Sequence, residues 1–308
     1  VEGRLTVDLR STVAYARVRH LQACPDIGPA CDEEPAPTPY RHDVRTVVSE
    51  LPLEVSYGVL SWLAVEARVP LRLVGVWPQY TTLDGVALPS AIDDHHRRET
   101  LVGPADPWLS VRAAARARGW IAGARLGVSL PLGRTEPDPY ALGRQGLPHQ
   151  HIQFGSGTVM PVLSGFVQRA WSRVEVAASA FAVLNATDNR HGYRAPTRAL
   201  LSLRTTFPLV QGRVRPFVAV DLSTEASERW FGRVGDEGPT DRADVLAGGG
   251  VAWQVSPKLT LDAAFRLRAA KLTHGSSLDY PGFVQLGGSF AYDTSSSEKV
   301  DDEASSNW

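Results

Sequence analysis

The chain has 308 residues, a net charge of −1 and a mean hydropathy of −0.15. That balance excludes a globally basic nucleic-acid binder. No apolar run approaches the ~20 residues of a spanning helix, but spanning β-strands escape that test, because only every second residue meets lipid.

About twelve stretches read as strands, each with a period of two. Strand one alternates Leu5, Val7, Leu9, Val13 and Tyr15 with Thr6, Asp8, Arg10, Thr12 and Ala14. Strand two (about 44–57) sets Leu51, Leu53, Val55 and Tyr57 against Glu50, Glu54 and Ser56. Strand three (62–76) opposes Leu63, Val65, Val69 and Leu71 to Glu66, Arg68 and Arg72. Strands four (107–117) and five (119–132) place Arg112, Arg116 and Arg125 on one face and Leu109, Val111, Leu126 and Val128 on the other. Strand six (158–171) is less regular, with Gly157, Pro161 and Gly165. Strands seven (173–185), eight (197–210) and nine (213–224) carry Arg173, Glu175, Phe181, Arg198, Arg204 and Asp221 opposite apolar faces. Strand ten (243–255) contains Gly248-Gly249-Gly250, a mark of a bend or close backbone approach. Strands eleven (258–271) and twelve (282–293) follow, with Asp262, Arg266 and Arg268 on the polar face of the former and Phe290 and Tyr292 closing the latter.

Short joints fall at Gly58–Ser61, Arg118–Gly119, Trp171–Arg173, Gln211–Arg213 and Ser256–Lys258. Long polar ones fall at residues 24–43, 77–105, 133–157, 186–196, 225–241 and 273–281. A sandwich and a barrel both satisfy the alternation. Long strands and one-sided long loops favour the barrel, since a tilted span takes ~10 residues and a sandwich strand ~6. The expected fold is all-β: a transmembrane antiparallel up-and-down barrel of about twelve strands over residues 1–293. Its turns are periplasmic and its loops extracellular. Residues 294–308, Ser-rich and acidic, read as a disordered periplasmic tail.

The charged face then becomes the lumen. Asp8, Arg10, Glu54, Glu66, Arg68, Arg112, Arg116, Arg125, Arg198, Arg204, Asp221, Asp262, Arg266 and Arg268 are its candidate lining or constriction residues. Arginine exceeds acid among them. The surplus reads either as a salt-bridged, hydrated filling or as a path favouring anionic or polar aromatic solutes. Only three of the 32 basic residues are lysines, a bias expected of a GC-rich genome.

Cys24 and Cys31 enclose a small loop that a disulfide closes in an oxidising compartment; two free thiols are the alternative. Val1 leads straight into a strand pattern, so any export signal is expected to be already removed. Asp93-Asp94-His95-His96 and His149-Gln150-His151 read as solvated polar loops rather than metal sites, because neighbouring loop residues converge poorly on one ion. All eight histidines fall in or beside the expected outer loops, and no Ser/His lipase motif accompanies them. No cofactor or catalytic residue is expected. Trp62, Trp77, Trp108, Trp120, Trp171 and Trp253 lie near strand ends, as interfacial girdles require. Trp308 ends the tail, either mobile or docking a periplasmic partner.

Leu51-Pro-Leu-Glu-Val-Ser-Tyr-Gly58 with Leu63-Ala-Val-Glu-Ala-Arg-Val-Pro70 forms one hairpin pattern. Ala105-Asp-Pro-Trp-Leu-Ser-Val-Arg112 with Ala124-Arg-Leu-Gly-Val-Ser-Leu-Pro-Leu-Gly133, then Phe154-Gly-Ser-Gly157, forms another. Over residues 44–185 these resemble the outer-membrane barrels of the MetA-pathway phenol-degradation family. That resemblance implies a channel for small aromatic or hydrophobic compounds. The family's Gly-Asp start to strand four stands here as Ala105-Asp106-Pro107.

The functional expectation is a channel for small solutes in a Gram-negative outer membrane, surrounded by lipid and lipopolysaccharide. The alternative is a non-conducting anchor of an envelope-spanning secretion, adhesion or motility assembly, with periplasmic or outer-membrane protein partners.

Overall fold

The computed structural model describes residues 2–22, 40–88, 98–143, 145, 147, 151–234, 241–273 and 278–294. In chain order the elements are β1 Arg4–Gln22, β2 Tyr40–Leu60, β3 Leu63–Thr81, β4 Glu99–Pro104, β5 Trp108–Ala117, β6 Trp120–Ser129, α1 Pro139–Gly143 and β7 Met160–Ala170. They continue with β8 Glu175–Val183, β9 Tyr193–Arg194, β10 Arg198–Thr206, β11 Val214–Glu225, β12 Arg229–Trp230, β13 Arg233–Val234, β14 Arg242–Gln254, β15 Leu259–Lys271 and β16 Leu278–Asp293.

All pairings are antiparallel, and β1 joins both β2 and the last strand, β16. With β2 on β3 the sheet closes. Closure leaves no backbone edge facing lipid, the condition for crossing a bilayer with strands. β4 and β5 lie end to end along β3: β4 on Leu71–Val76, β5 on Leu63–Arg68. Counted as one broken strand, they make the wall a twelve-strand barrel. The break falls at Pro104-Ala105-Asp106-Pro107, where two prolines remove ladder donors.

Strand placement follows the sequence reading closely, with longer first strands. β1, β2 and β3 run 19, 21 and 19 residues and extend past the wall at the long-loop end. β4 occupies part of the expected second loop. A small sheet, β13–β12–β9, joins the loops on either side of the β10–β11 hairpin. The tight turns sit as expected; at Arg118–Gly119 both residues have positive φ (50° and 81°), the twist-matching hairpin geometry that glycine eases. Cys24, Cys31, Asp93–His96, His149 and the tail from residue 295 lie outside the described residues.

The outward face is apolar and open. Leu53, Val69, Leu126, Leu201, Val220 and Leu286 are each 43–61% exposed in the isolated chain. So continuous a patch is unfavourable in water and is satisfied by hydrocarbon. Trp62, Trp120, Trp171 and Trp253 ring the short-turn end, and Trp77 lies toward the other, all 38–54% exposed.

The Gly248–Gly250 run marks close backbone approach. A Cβ on Gly248 would stand 2.1 Å from the Phe265 carbonyl oxygen. One on Gly250 would stand 2.6 Å from Phe217 Cζ, so this glycine lets the Phe217 ring lie flat against the wall.

Candidate functional site: the charged lumen and its constriction

Alternation turns the charged residues inward, and the register brings acid to base. Glu54 faces Arg68 and Glu50 faces Arg72 directly across β2–β3. Arg68 bonds Glu50 at 2.7 Å and Glu54 at 3.1 Å, and Arg72 reaches Glu50 at 2.9 Å. On the next strands Arg112 and Arg125 stand opposite one another. Glu66 accepts a hydrogen bond from Arg112 at 2.6 Å and forms an ion pair with Arg125 at 2.5 Å. Glu54, Glu66, Arg68, Arg112 and Arg125, with Asp8 and Trp108, line a cavity of about 230 Å³.

The far wall repeats the scheme. Arg266 donates to Asp221 at 2.6 Å, with both side chains under 10% exposed, and Ser202 also donates to Asp221. Arg215 pairs with Glu175, Arg10 with Asp262, Arg198 with Glu225, and Arg268 with Asp279. Of the fourteen sequence candidates, eleven meet an opposite charge in these pairs; Asp8, Arg116 and Arg204 do not. Buried or half-buried ions of this kind are held by their partners, and removing one partner costs more than the pair contributes.

Toward the long-loop end the lumen changes character. Residues 153–158 fold inward and are tied by Asp106, which is 6% exposed. Its carboxylate accepts from Gly133 N at 2.8 Å, Ser156 N at 2.7 Å and Ser156 Oγ at 2.6 Å. Asn189 Nδ2 donates to Ser156 O at 3.0 Å from the next loop. Gly133 and Gly155 pack backbone to backbone; a Cβ on either would meet the other within 2.7 Å. The knot presses Phe154 onto Val44, Val74 and Val76. Met160, Val162 and Val183 form a second apolar cluster with Trp108 and Phe181.

Between these clusters lies a cavity of about 180 Å³. Its walls include Trp108 stacked on Phe181 (5.4 Å between ring centres), Phe154, Tyr193, Arg72 and Arg198. The Arg68 guanidinium lies 4.7 Å over Trp108. Aromatic faces and cations thus share one narrow chamber, chemistry suited to aromatic or anionic groups.

Trp108 is therefore a correction: it faces the lumen and is not part of the girdle. Its even-numbered register with Ser110 and Arg112 was the available signal. Asp106, Phe154 and Ser156 also escaped the lumen list. His42 is a further refinement: it sits inside β2, 1% exposed, against the rings of Tyr40 and Tyr80. Among the described residues no group of three metal-ligating side chains converges.

With this geometry in view, one solved structure stands out. The COG4313 outer membrane channel from Pseudomonas putida F1 aligns with TM-score 0.60 and 11% identity, covering 95% of this chain and 96% of that one. The shared fold is the closed antiparallel transmembrane β-barrel. The P. putida toluene transporter TodX aligns over 95% of this chain and 90% of its own, at TM-score 0.41 and 10% identity. No protein-family model and no curated protein matches the chain.

Above the wall, the small sheet buries Tyr193 against Trp230, ring centres 4.9 Å apart, with Glu228 5% exposed beside them. Burial lifts the Glu228 carboxyl to about 7; the neighbouring Trp230 indole opposes the rise and nearby Glu225 adds to it. An acid raised in the folded state binds its proton more readily there than when released. The contact is therefore strongest below the ordinary value of 4.5 and weakens as pH rises through about 7. Amide exchange of residues 226–234, corrected for intrinsic rates, is expected to be faster at pH 8 than at pH 5. Glu228→Gln should flatten that dependence; identical profiles for variant and parent would refute the assignment.

Proposed function

We propose that the chain is a non-enzymatic outer-membrane channel, passing small aromatic or anionic solutes through the ion-paired lumen and the aromatic–basic chamber above it. The observation that carries this reading is the chamber itself, where Trp108, Phe181, Arg68 and Arg198 converge beneath the inward fold of residues 153–158. The likeness to the COG4313 channel supports the fold on which it stands. In this reading residues 1–293 form one barrel in a Gram-negative outer membrane, among lipid and lipopolysaccharide. Both termini are periplasmic, the short turns with them, and the long loops are outside. Residues 294–308 trail into the periplasm. The fourteen lumen candidates set the electrostatics of the path, and Cys24–Cys31 staples the first loop.

Purified protein in planar bilayers is expected to give discrete conductance steps in KCl. Barrels verified as folded by heat-modifiable migration, yet electrically silent, would sink the channel reading. The dense pairing of lumen ions favours a second reading, a sealed anchor for an envelope-spanning assembly. That reading requires co-purifying partners that are lost when residues 294–308 are removed.

A further inference from the structure

Arg204 stands apart from the pattern just described. It projects inward from β10, two residues before the strand ends, and is half-buried. Among the described residues it has no carboxylate partner. Arg116 shares that lack but is exposed, close to a tight turn. Arg204 is instead held by an aromatic ring: its Cζ lies 3.7 Å from the centre of Phe217. Its Nε donates to Thr206 Oγ1 at 3.3 Å. The ring is itself seated on the wall by Gly250.

The consequence is a guanidinium held by stacking rather than by an ion. A guanidinium carries five N–H donors in a planar fork, and stacking on a ring leaves its edge free. Here one donor is taken by Thr206, and the terminal nitrogens have no bond to a described residue. The flanking register positions are Ala177 and Ala219. Both flanking side chains are methyls, so neither offers the fork a competing acceptor.

The surrounding charge favours an anion. Arg204 feels Arg215, Glu175, Arg266 and Arg10. Arg215 is neutralised by Glu175, Arg266 by Asp221 and Arg10 by Asp262. Each of these cations is matched by its own acid, so Arg204 carries the one unmatched charge among these seven groups.

We propose that Arg204, laid over Phe217, is an interior binding station for the carboxylate of a small organic anion, gripped by two parallel N–H donors. This deepens the channel reading by naming the solute's charged group, and rests on it in taking the lumen as the solute's path.

The test does not need flux. Saturation-transfer NMR on the full chain in detergent micelles, with benzoate and uncharged benzyl alcohol as probes, reads binding directly. Losing a charge-assisted pair should weaken benzoate binding about tenfold in Arg204→Gln. Benzyl alcohol should be unaffected by that change, and Arg118→Gln, exposed in a tight turn, should leave benzoate unaffected. A folded Arg204→Gln that binds benzoate like the parent overturns the proposal, as does a parent that ignores benzoate. Should the glutamine variant fail to insert, Arg204→Lys keeps the charge but loses the fork. It is expected to bind benzoate more weakly, and equal affinity overturns the proposal. A barrel that binds benzoate yet carries no current would defeat the channel reading alone. One that conducts KCl and ignores benzoate would defeat the station alone.

Discussion

Asp106→Ala is expected to loosen the long-loop end of the barrel while leaving its strands paired. The carboxylate takes three hydrogen bonds, two from backbone N–H groups of Gly133 and Ser156 and one from the Ser156 hydroxyl. Removing it strands those donors in a site that is 6% exposed. The Ser156 hydroxyl can turn to Thr158 O, 2.9 Å away; each of the two N–H groups left unmet costs about 1–3 kcal/mol, so a total of about 2–6 kcal/mol follows. Asparagine does not rescue the site, because its amide would point N–H at N–H on one side. The inward fold of residues 153–158 hangs on this contact and on Asn189. The variant should therefore show a lower urea midpoint and a larger, noisier single-channel conductance. An unchanged midpoint together with unchanged conductance would remove Asp106 from this role.

Glu66→Gln is expected to act mainly on ion selectivity. In the parent, Glu66 and the facing Arg112 and Arg125 sum to one positive charge. In the variant they sum to two, on guanidiniums that stand directly opposite each other. Breaking a well-buried ion network costs about 3–5 kcal/mol. Arg112 is 37% exposed at its side chain, so hydration softens the repulsion and the stability loss should fall below that range. The reversal potential across a KCl gradient should shift toward chloride. Glu66→Asp should shift it less, since the charge remains. A reversal potential that is the same in parent and Glu66→Gln would mean ions do not pass this triad.

How much of this was legible beforehand depended on how local each signal is. The wall was legible because lipid on one side and water on the other impose a period of two on every strand. Glu54, Arg68 and Asp262 were identifiable as lumen residues on that ground alone. Their pairing was not, since it depends on register between strands. The constriction lay deeper still. Leu73-Val74-Gly75-Val76-Trp77 and Val44, Val47 and Val48 break the alternation because both faces there meet apolar surroundings. Such continuous runs are the signature of strands covered on both sides. Asp106, Gly133, Ser156 and Asn189 come from three loops, with Gly133 and Ser156 near the two ends of one, and no spacing rule connects them. Tyr193 and Trp230 meet for the same reason, across an intervening hairpin.

The distribution of acids among hairpins bears on how the barrel is put together. The β2–β3 hairpin holds Glu50 and Glu54 against Arg68 and Arg72, two negative and two positive charges in facing register. Those four cancel within the hairpin, and its remaining lumen acid, Glu66, is left over. The β5–β6 hairpin sets Arg112 against Arg125 with no acid of its own to divide between them. Its neutraliser, Glu66, belongs to the preceding hairpin. Bringing two facing cations into an oily layer alone is costly. Docking β5–β6 against β3 supplies that acid, so the cost of burying Arg112 and Arg125 falls when the two hairpins meet.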